Sequence, residues 1–394
     1  MAHKKSNCPG KEKYLSGKRI LPQPISEDTD IVKLIENLDA YNGGRIRAAC
    51  HLLKEKYSQE DVTVGLSLAG ALTPAGLGPS AIIPLMNHGF VDWITSTGAN
   101  MYHDLHFAFN LPMHRGSHVI DDVDLRRKGV TRIYDILFDY EGVLMETDRR
   151  LRQILVRPEF QKEMGTQEFY HHLGKIVNEY EQESKLGQVS ITAAAYRNGI
   201  PVFTSSPGDS TIGMNVAGLE LLAEASGLKN LFKLKINPSI DVNDSTAIVL
   251  NAKKYEKGKT AVILLGGGSP KNFMLQTEPQ IQEVLMISGA GQDYDINITD
   301  ARPDTGGLSG APPSEAVSWG KINPTTLEET VTAYLDVTVA LPLIVAYVKQ
   351  TTEPKKQKRL YDRRQELREK LTRSYLENNK EVEKLKNLIT KLPA

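Results

Sequence analysis

The chain opens with helical periodicity and then changes to strand-like runs. Ile31, Leu34, Ile35 and Leu38 fall on one face at helical spacing and predict a short helix over residues 30–38. A second helix is predicted over about 45–57, after the turn signal Asn42-Gly43-Gly44. Residues 62–68 form a strand-like apolar run, followed by a Gly-, Pro- and Ala-rich loop at 70–78 and an apolar helix to about Asn87. Residues 90–95 predict the next strand, closed by Thr97-Gly98-Ala99-Asn100. Strand, glycine turn, helix, strand is the repeating unit of a parallel α/β sheet.

The same grammar recurs later. Strands are predicted over 200–204, closed by Ser205-Ser206-Pro207-Gly208-Asp209, and over 260–265, closed by Gly266-Gly267-Gly268. A short strand at 296–298 precedes a loop rich in Gly and Pro, and a strand at 331–335 ends in Asp336. The expected fold is therefore α/β: a Rossmann-like parallel sheet flanked by helices in one large domain over residues 25–350. A polar, flexible tail over 1–24 precedes it. Residues 352–391 are dense in Lys, Arg and Glu, with Leu360, Leu367, Leu371, Leu376, Leu385 and Leu388 near helical spacing. They predict a charged amphipathic helix over 351–394, solvated on its polar face or docked on a partner subunit.

Composition narrows the class of partner. Acidic and basic residues balance at 48 each, which gives no reason to expect nucleic acid or a membrane. The basic N-terminus has no apolar core, so it does not read as a secretory signal. The apolar run 337–348 is too short to span a bilayer. The two cysteines, Cys8 and Cys50, suggest neither a metal site nor a disulfide framework. A cytoplasmic protein is expected.

Candidate chemistry lies in the glycine loops and in one lysine. In an open parallel sheet, ligands collect beyond the carboxyl ends of the strands, and glycine-rich turns there present N–H groups to phosphate. The loops at 70–76, 97–100 and 266–268 have this character, and Asp336 at a strand end could accept bonds from a ribose hydroxyl. None of them spells a full GxGxxG. His103, His106, His114 and His118 cluster, but no Cys or HExxH pattern supports a metal site, and none is expected. The most specific string is Ser314-Glu315-Ala316-Val317-Ser318-Trp319-Gly320-Lys321-Ile322, after the loop Gly306-Gly307-Leu308-Ser309-Gly310-Ala311. An apolar pocket would lower the pKa of Lys321 and free it as a nucleophile. An indole wall suits a cationic polyamine, and Glu315 could bind an ammonium.

That string resembles the active-site signature of deoxyhypusine synthases. The resemblance extends to Leu173-Gly174-Lys175, Ile200-Pro201-Val202-Phe203 with Asp209, residues 263–268, and Asp336 with Pro342-Leu343. It implies an NAD-dependent transferase, with spermidine as donor of an aminobutyl group. NAD takes hydride from spermidine, a lysine captures the aminobutyl group as an imine and releases diaminopropane, and an acceptor amine then takes the group. The hydride returns from the bound cofactor. By the same resemblance, Lys321 matches the covalent lysine, and Trp319 and Glu315 match polyamine contacts. Thr97, Gly98, Asp209, Gly266, Gly267, Gly268, Ser309, Gly310 and Asp336 match the surroundings of NAD. A homotetramer with active sites at subunit interfaces is implied.

The sequence departs from the family pattern at four places. Tyr102 and His103 stand where eukaryotic members carry two glutamates, which makes His103 a candidate base. Met214 and Leu308 stand where they carry acids, and Asn272, a candidate substrate contact, where they carry a histidine. The altered cradle favours a small acceptor, putrescine, giving homospermidine. A lysine of the hypusine-bearing translation factor is the alternative acceptor. A non-catalytic NAD- or polyamine-binding protein and a simple amine dehydrogenase are the other classes.

Overall fold

Every residue of β1 (Val62–Leu68) is buried in the computed structural model, which describes residues 11–377 and 380–392. A strand covered on both faces has no reason to alternate, so its sequence reads as a continuous run. It lies at the centre of a six-stranded sheet with β2 (Trp93–Ser96), β3 (Val202–Thr204), β4 (Lys259–Leu265), β5 (Tyr294–Ile298) and β6 (Thr330–Ala333). The order is β6-β5-β4-β1-β2-β3, and every pairing is parallel. The chain builds outward from β1 to β3, then crosses to the other side of β1 and builds outward again. The reversal falls between β1 and β4, so a crevice opens there beyond their carboxyl ends.

Alternation along the strands feeds two cores. Ala261, Ile263 and Leu265 of β4 join the larger cluster on one face, while Val262 and Leu264 join Trp93 and Phe203 on the other. Helices cover both faces, and among the described residues none is long and apolar enough to cross a membrane. The α/β class and the parallel sheet are as the sequence led us to expect.

Several boundaries differ. Asn42-Gly43-Gly44 is no turn but lies in α1 (Tyr41–Leu52), where the Asn42 amide accepts from Tyr334 N–H at 3.2 Å and donates to Tyr334 C=O at 2.6 Å. The exchange pins α1 to the chain just beyond β6. β2 starts at Trp93 rather than residue 90, and β6 ends at Ala333 rather than residue 335. An antiparallel ribbon of His114–Arg115, Val130–Ile133 and Ile136–Asp139 was not foreseen.

The C-terminal segment differs most from a single solvated helix. Residues 353–359 have no regular structure, and helices occupy Arg364–Glu377 and Lys380–Ile389. Lys355 is buried and donates to Tyr57 C=O and Val62 C=O, both at 3.0 Å. Leu360, Leu367 and Leu371 are buried, and Arg368 pairs with Asp244 of the helix Pro238–Leu250 at 2.6 Å. The first half of the leucine stripe therefore packs on its own chain, while Leu376, Leu385 and Leu388 are exposed. The first ten residues of the expected tail lie outside the described residues.

Candidate active site

Because all six strands are parallel, their carboxyl ends share one edge of the sheet, and the loops there touch in succession. Thr97 follows β2 and caps the helix α2 (Gly98–Ala108). Its hydroxyl donates to Gly70 C=O at 2.6 Å, which ties the β2 loop to the β1 loop. Gly98 faces Ser210, whose Cβ would lie 2.3 Å from any Cβ added there. Ser206 and Ser269 hydroxyls meet at 3.2 Å, joining the loops after β3 and β4. Gly268 N–H donates to Ser309 Oγ at 3.0 Å, joining the β4 loop to the one after β5. Gly310 seats against Arg302 C=O.

Gly267 is as tightly seated as Gly98. A Cβ there would stand 2.3 Å from Ser309 Cα, so only glycine allows the two loops to meet. Gly70, after β1, and Gly268, after β4, by contrast, would meet nothing within 4 Å of an added Cβ. Neighbouring Gly266 is also left-handed, at φ +81°. Asp209 is exposed on its loop. Asp336 caps the helix Val337–Thr351 by accepting from Thr338 N–H at 2.8 Å, which occupies Oδ1 and leaves Oδ2. A glycine-walled crevice at the topological switch point, with hydroxyls and carboxylates on its rim, fits a dinucleotide.

Lys321 stands in a second cleft, against the face of β5 that carries Asp295 and Asn297. The helix α3 (Pro313–Ser318) ends with Trp319 as cap and Gly320 left-handed at φ +65°. Lys321 N–H returns to Ala316 C=O at 3.0 Å and Gly320 N–H to Val317 C=O at 3.0 Å. This paired closure needs glycine at the left-handed position and turns the next side chain back over the helix end. The order Trp-Gly-Lys is thus a helix stop that aims the lysine.

The lysine is 8% exposed. Its Nζ donates to Asn272 Oδ1 at 3.1 Å and lies 5.7 Å from the Trp319 ring centre. Burial draws its pKa below 10.5, while Glu283 and Glu315 act in the opposite sense. The cleft has a volume of about 50 Å³ and is lined by Lys271, Asp295, Asn297, Leu308, Glu315 and Trp319 as well as Lys321. Trp319 is 60% exposed and stands at its open side. A buried, partly desolvated amine beside an aromatic ring and a carboxylate is suited to attack an electrophilic carbon.

His103 is not among the residues lining this cleft. Its Nδ1 lies 3.0 Å from His106 Nε2, and His106 Nδ1 lies 2.8 Å from Thr147 Oγ1. Its ring packs near Phe138. Burial pushes His103 down to about 4 and His106 to about 3. Within one chain, the candidate base and the candidate nucleophile are not brought together. His114 is exposed, and His118 stacks on Tyr134. Among the described residues, no three His, Cys, Asp or Glu side chains gather as a metal site.

Lys271, Asp295 and Asn297 were not anticipated. Lys271 is buried and donates to Ala311 C=O at 2.9 Å. Asp295 and Asn297 point to one face of β5, between Ile296 and Ile298 on the other. A polar pair at alternate positions of a buried strand was the available signal.

The doubly wound sheet, the glycine loops at its switch point and the buried lysine together define an α/β enzyme scaffold. Residues 30–348 match the family model for deoxyhypusine synthase. A "Deoxyhypusine synthase-like protein" of Nostoc punctiforme is 52% identical over 361 residues, covering 91% of this chain and 90% of that protein. A "Probable deoxyhypusine synthase 2" of Methanosarcina acetivorans is 36% identical, covering 81% and 83%. A crystal structure of a candidate deoxyhypusine synthase from Entamoeba histolytica superposes with a TM-score of 0.53 at 13% identity, over 86% of this chain and all of that one, and shares the fold. The chain belongs to the deoxyhypusine synthase family, whose members are transferases.

Proposed function

We propose that the chain is an NAD-dependent transferase that moves the 4-aminobutyl group of spermidine through Lys321 to an acceptor amine, with putrescine as acceptor and homospermidine as product. The observation that carries this reading is the placement of the Lys321 amine: buried, beside Trp319, and in a cleft that also holds Glu315. The crevice around Gly70, Gly266, Gly267 and Gly268 would hold NAD, with Ser309, Thr97 and Asp336 on its rim. When bound, NAD supplies the oxidation of the donor amine and the later reduction.

The remaining steps fall to this chain's residues. Neutral Lys321 adds to the imine carbon of the oxidised donor, the C–N bond to diaminopropane breaks, and an imine to Lys321 is left. The acceptor amine then adds to that carbon and expels Lys321. Asn272 orients Nζ, and Trp319 with Glu315 favours the cationic chain. The exposed Trp319 and Leu308 at the cleft mouth suit closure by a second subunit, in line with an interfacial site in a homotetramer.

The test is incubation of the protein with NAD, spermidine and putrescine, followed by mass spectrometry of the amines. Homospermidine with stoichiometric diaminopropane is the expected result. Transfer only when the hypusine-bearing translation factor is added would assign a protein lysine as acceptor. Stoichiometric accumulation of NADH would make the protein a dehydrogenase, and no conversion with any acceptor would contradict turnover.

A further inference from the structure

We propose that Asp295 and Asn297, neighbours on one face of β5, form the seat for an ammonium group of the amine substrate. This deepens the transferase reading and rests on it for the identity of the amine.

Both residues line the Lys321 cleft. Asp295 is 2% exposed and Asn297 is 1% exposed. The buried oxygens Asp295 Oδ1 and Asn297 Oδ1 have no hydrogen-bond partner. Buried acceptors are rarely left unpaired, and an orphaned one calls for a ligand or a water. Lys271 does not fill the role. Its Nζ donates to Ala311 C=O at 2.9 Å, and neither a hydrogen bond nor an ion pair within 4.0 Å joins it to Asp295 among the described residues.

The chemistry selects an ammonium. Both oxygens are acceptors, and an ammonium brings three donors. One carboxylate and one amide are too few oxygen ligands for calcium or magnesium. Charge balance points the same way. With Lys321 neutral for reaction, the cleft holds the carboxylates of Asp295 and Glu315 against the single cation of Lys271. One substrate ammonium restores neutrality. Burial also pushes the Asp295 carboxyl up to about 7, with Lys271 opposing, so the free site holds its charge weakly and gains when a cation arrives.

The experiment is calorimetric titration of the full chain, with NADH present, using putrescine and 1-butylamine. These probes differ by one ammonium and require no turnover. The wild type is expected to prefer putrescine at least tenfold, and Asp295→Asn to reduce that preference below threefold. Putrescine affinity should also fall as pH drops through about 7 in the wild type but not in Asp295→Asn. Glu315, Lys271, Lys321 and Tyr57, the other titratable groups facing Asp295, remain in both proteins. Should Asp295→Asn fail to fold, Asn297→Ala is read in its place, with a severalfold loss of preference expected. An unchanged preference in the variant, or none in the wild type, would overturn the ammonium seat. Transfer activity, measured separately, decides the transferase reading whichever way this titration falls.

Discussion

Lys321 Nζ reaches Asn272 Oδ1 at 3.1 Å, joining the turn after α3 to the helix that follows β4. The acceptor both aims the amine and favours its ammonium form. Asn272→Ala should lower kcat about tenfold through lost orientation. It should also move the rising limb of the pH–rate profile to lower pH, because burial then acts on Lys321 with less opposition. Steady-state rates between pH 7 and 10 check both effects.

Gly267 sets how closely the β4 and β5 loops approach. Gly267→Ala would drive a Cβ to 2.3 Å from Ser309 Cα, and the loops must part. NAD binding should weaken at least tenfold, and stability should fall by about 1–3 kcal/mol, as for other overpacked sites. Ser309→Ala removes only the bond to Gly268 N–H and should cost about 1 kcal/mol. Fluorescence titration with NADH and thermal melts separate the two.

Asp295 opposes folding when it is ionised. Burial pushes its carboxyl up to about 7 in the folded protein, from an ordinary value of 3.8. The folded state therefore takes up a proton between these values, and stability falls as pH rises from about 4 to about 7. Asp295→Asn should raise Tm by a few degrees at pH 8, with a smaller gain at pH 5. A buried Lys271–Asp295 ion pair would instead make the variant less stable at pH 8.

The strands were legible because burial on both faces leaves a run of apolar residues that needs no partner to be recognised, as at β1 and β4. The helix stop at Trp319-Gly320-Lys321 is local and could also be read. The pair Asp295 and Asn297 is hard to read because the apolar signal of this strand begins only at Ile296, which hides the alternation on its polar face. The C-terminal leucines were seen, but their spacing is the same whether the helix is solvated or docked. What decides it is the pairing of Arg368 with Asp244, far away in sequence, which docks the helix carrying Leu367 and Leu371. His103 lies at a position of the family motif, yet linear spacing says nothing of its separation from the Lys321 cleft.

His103 is held neutral by burial and engaged with His106. A general base serves best with a pKa near the working pH and contributes roughly 100-fold or more. His103→Gln should therefore reduce kcat less than tenfold, with the loss traced to packing against Phe138. A fall of several hundredfold, with the fold intact, would restore His103 as the base.

The most direct test is borohydride reduction of the protein during turnover with NAD and spermidine, followed by peptide mass spectrometry. The expected result is one aminobutyl adduct on Lys321, absent from Lys321→Arg, which should still bind NAD. An adduct on another lysine, or sustained transfer by Lys321→Arg, would contradict a covalent role for Lys321.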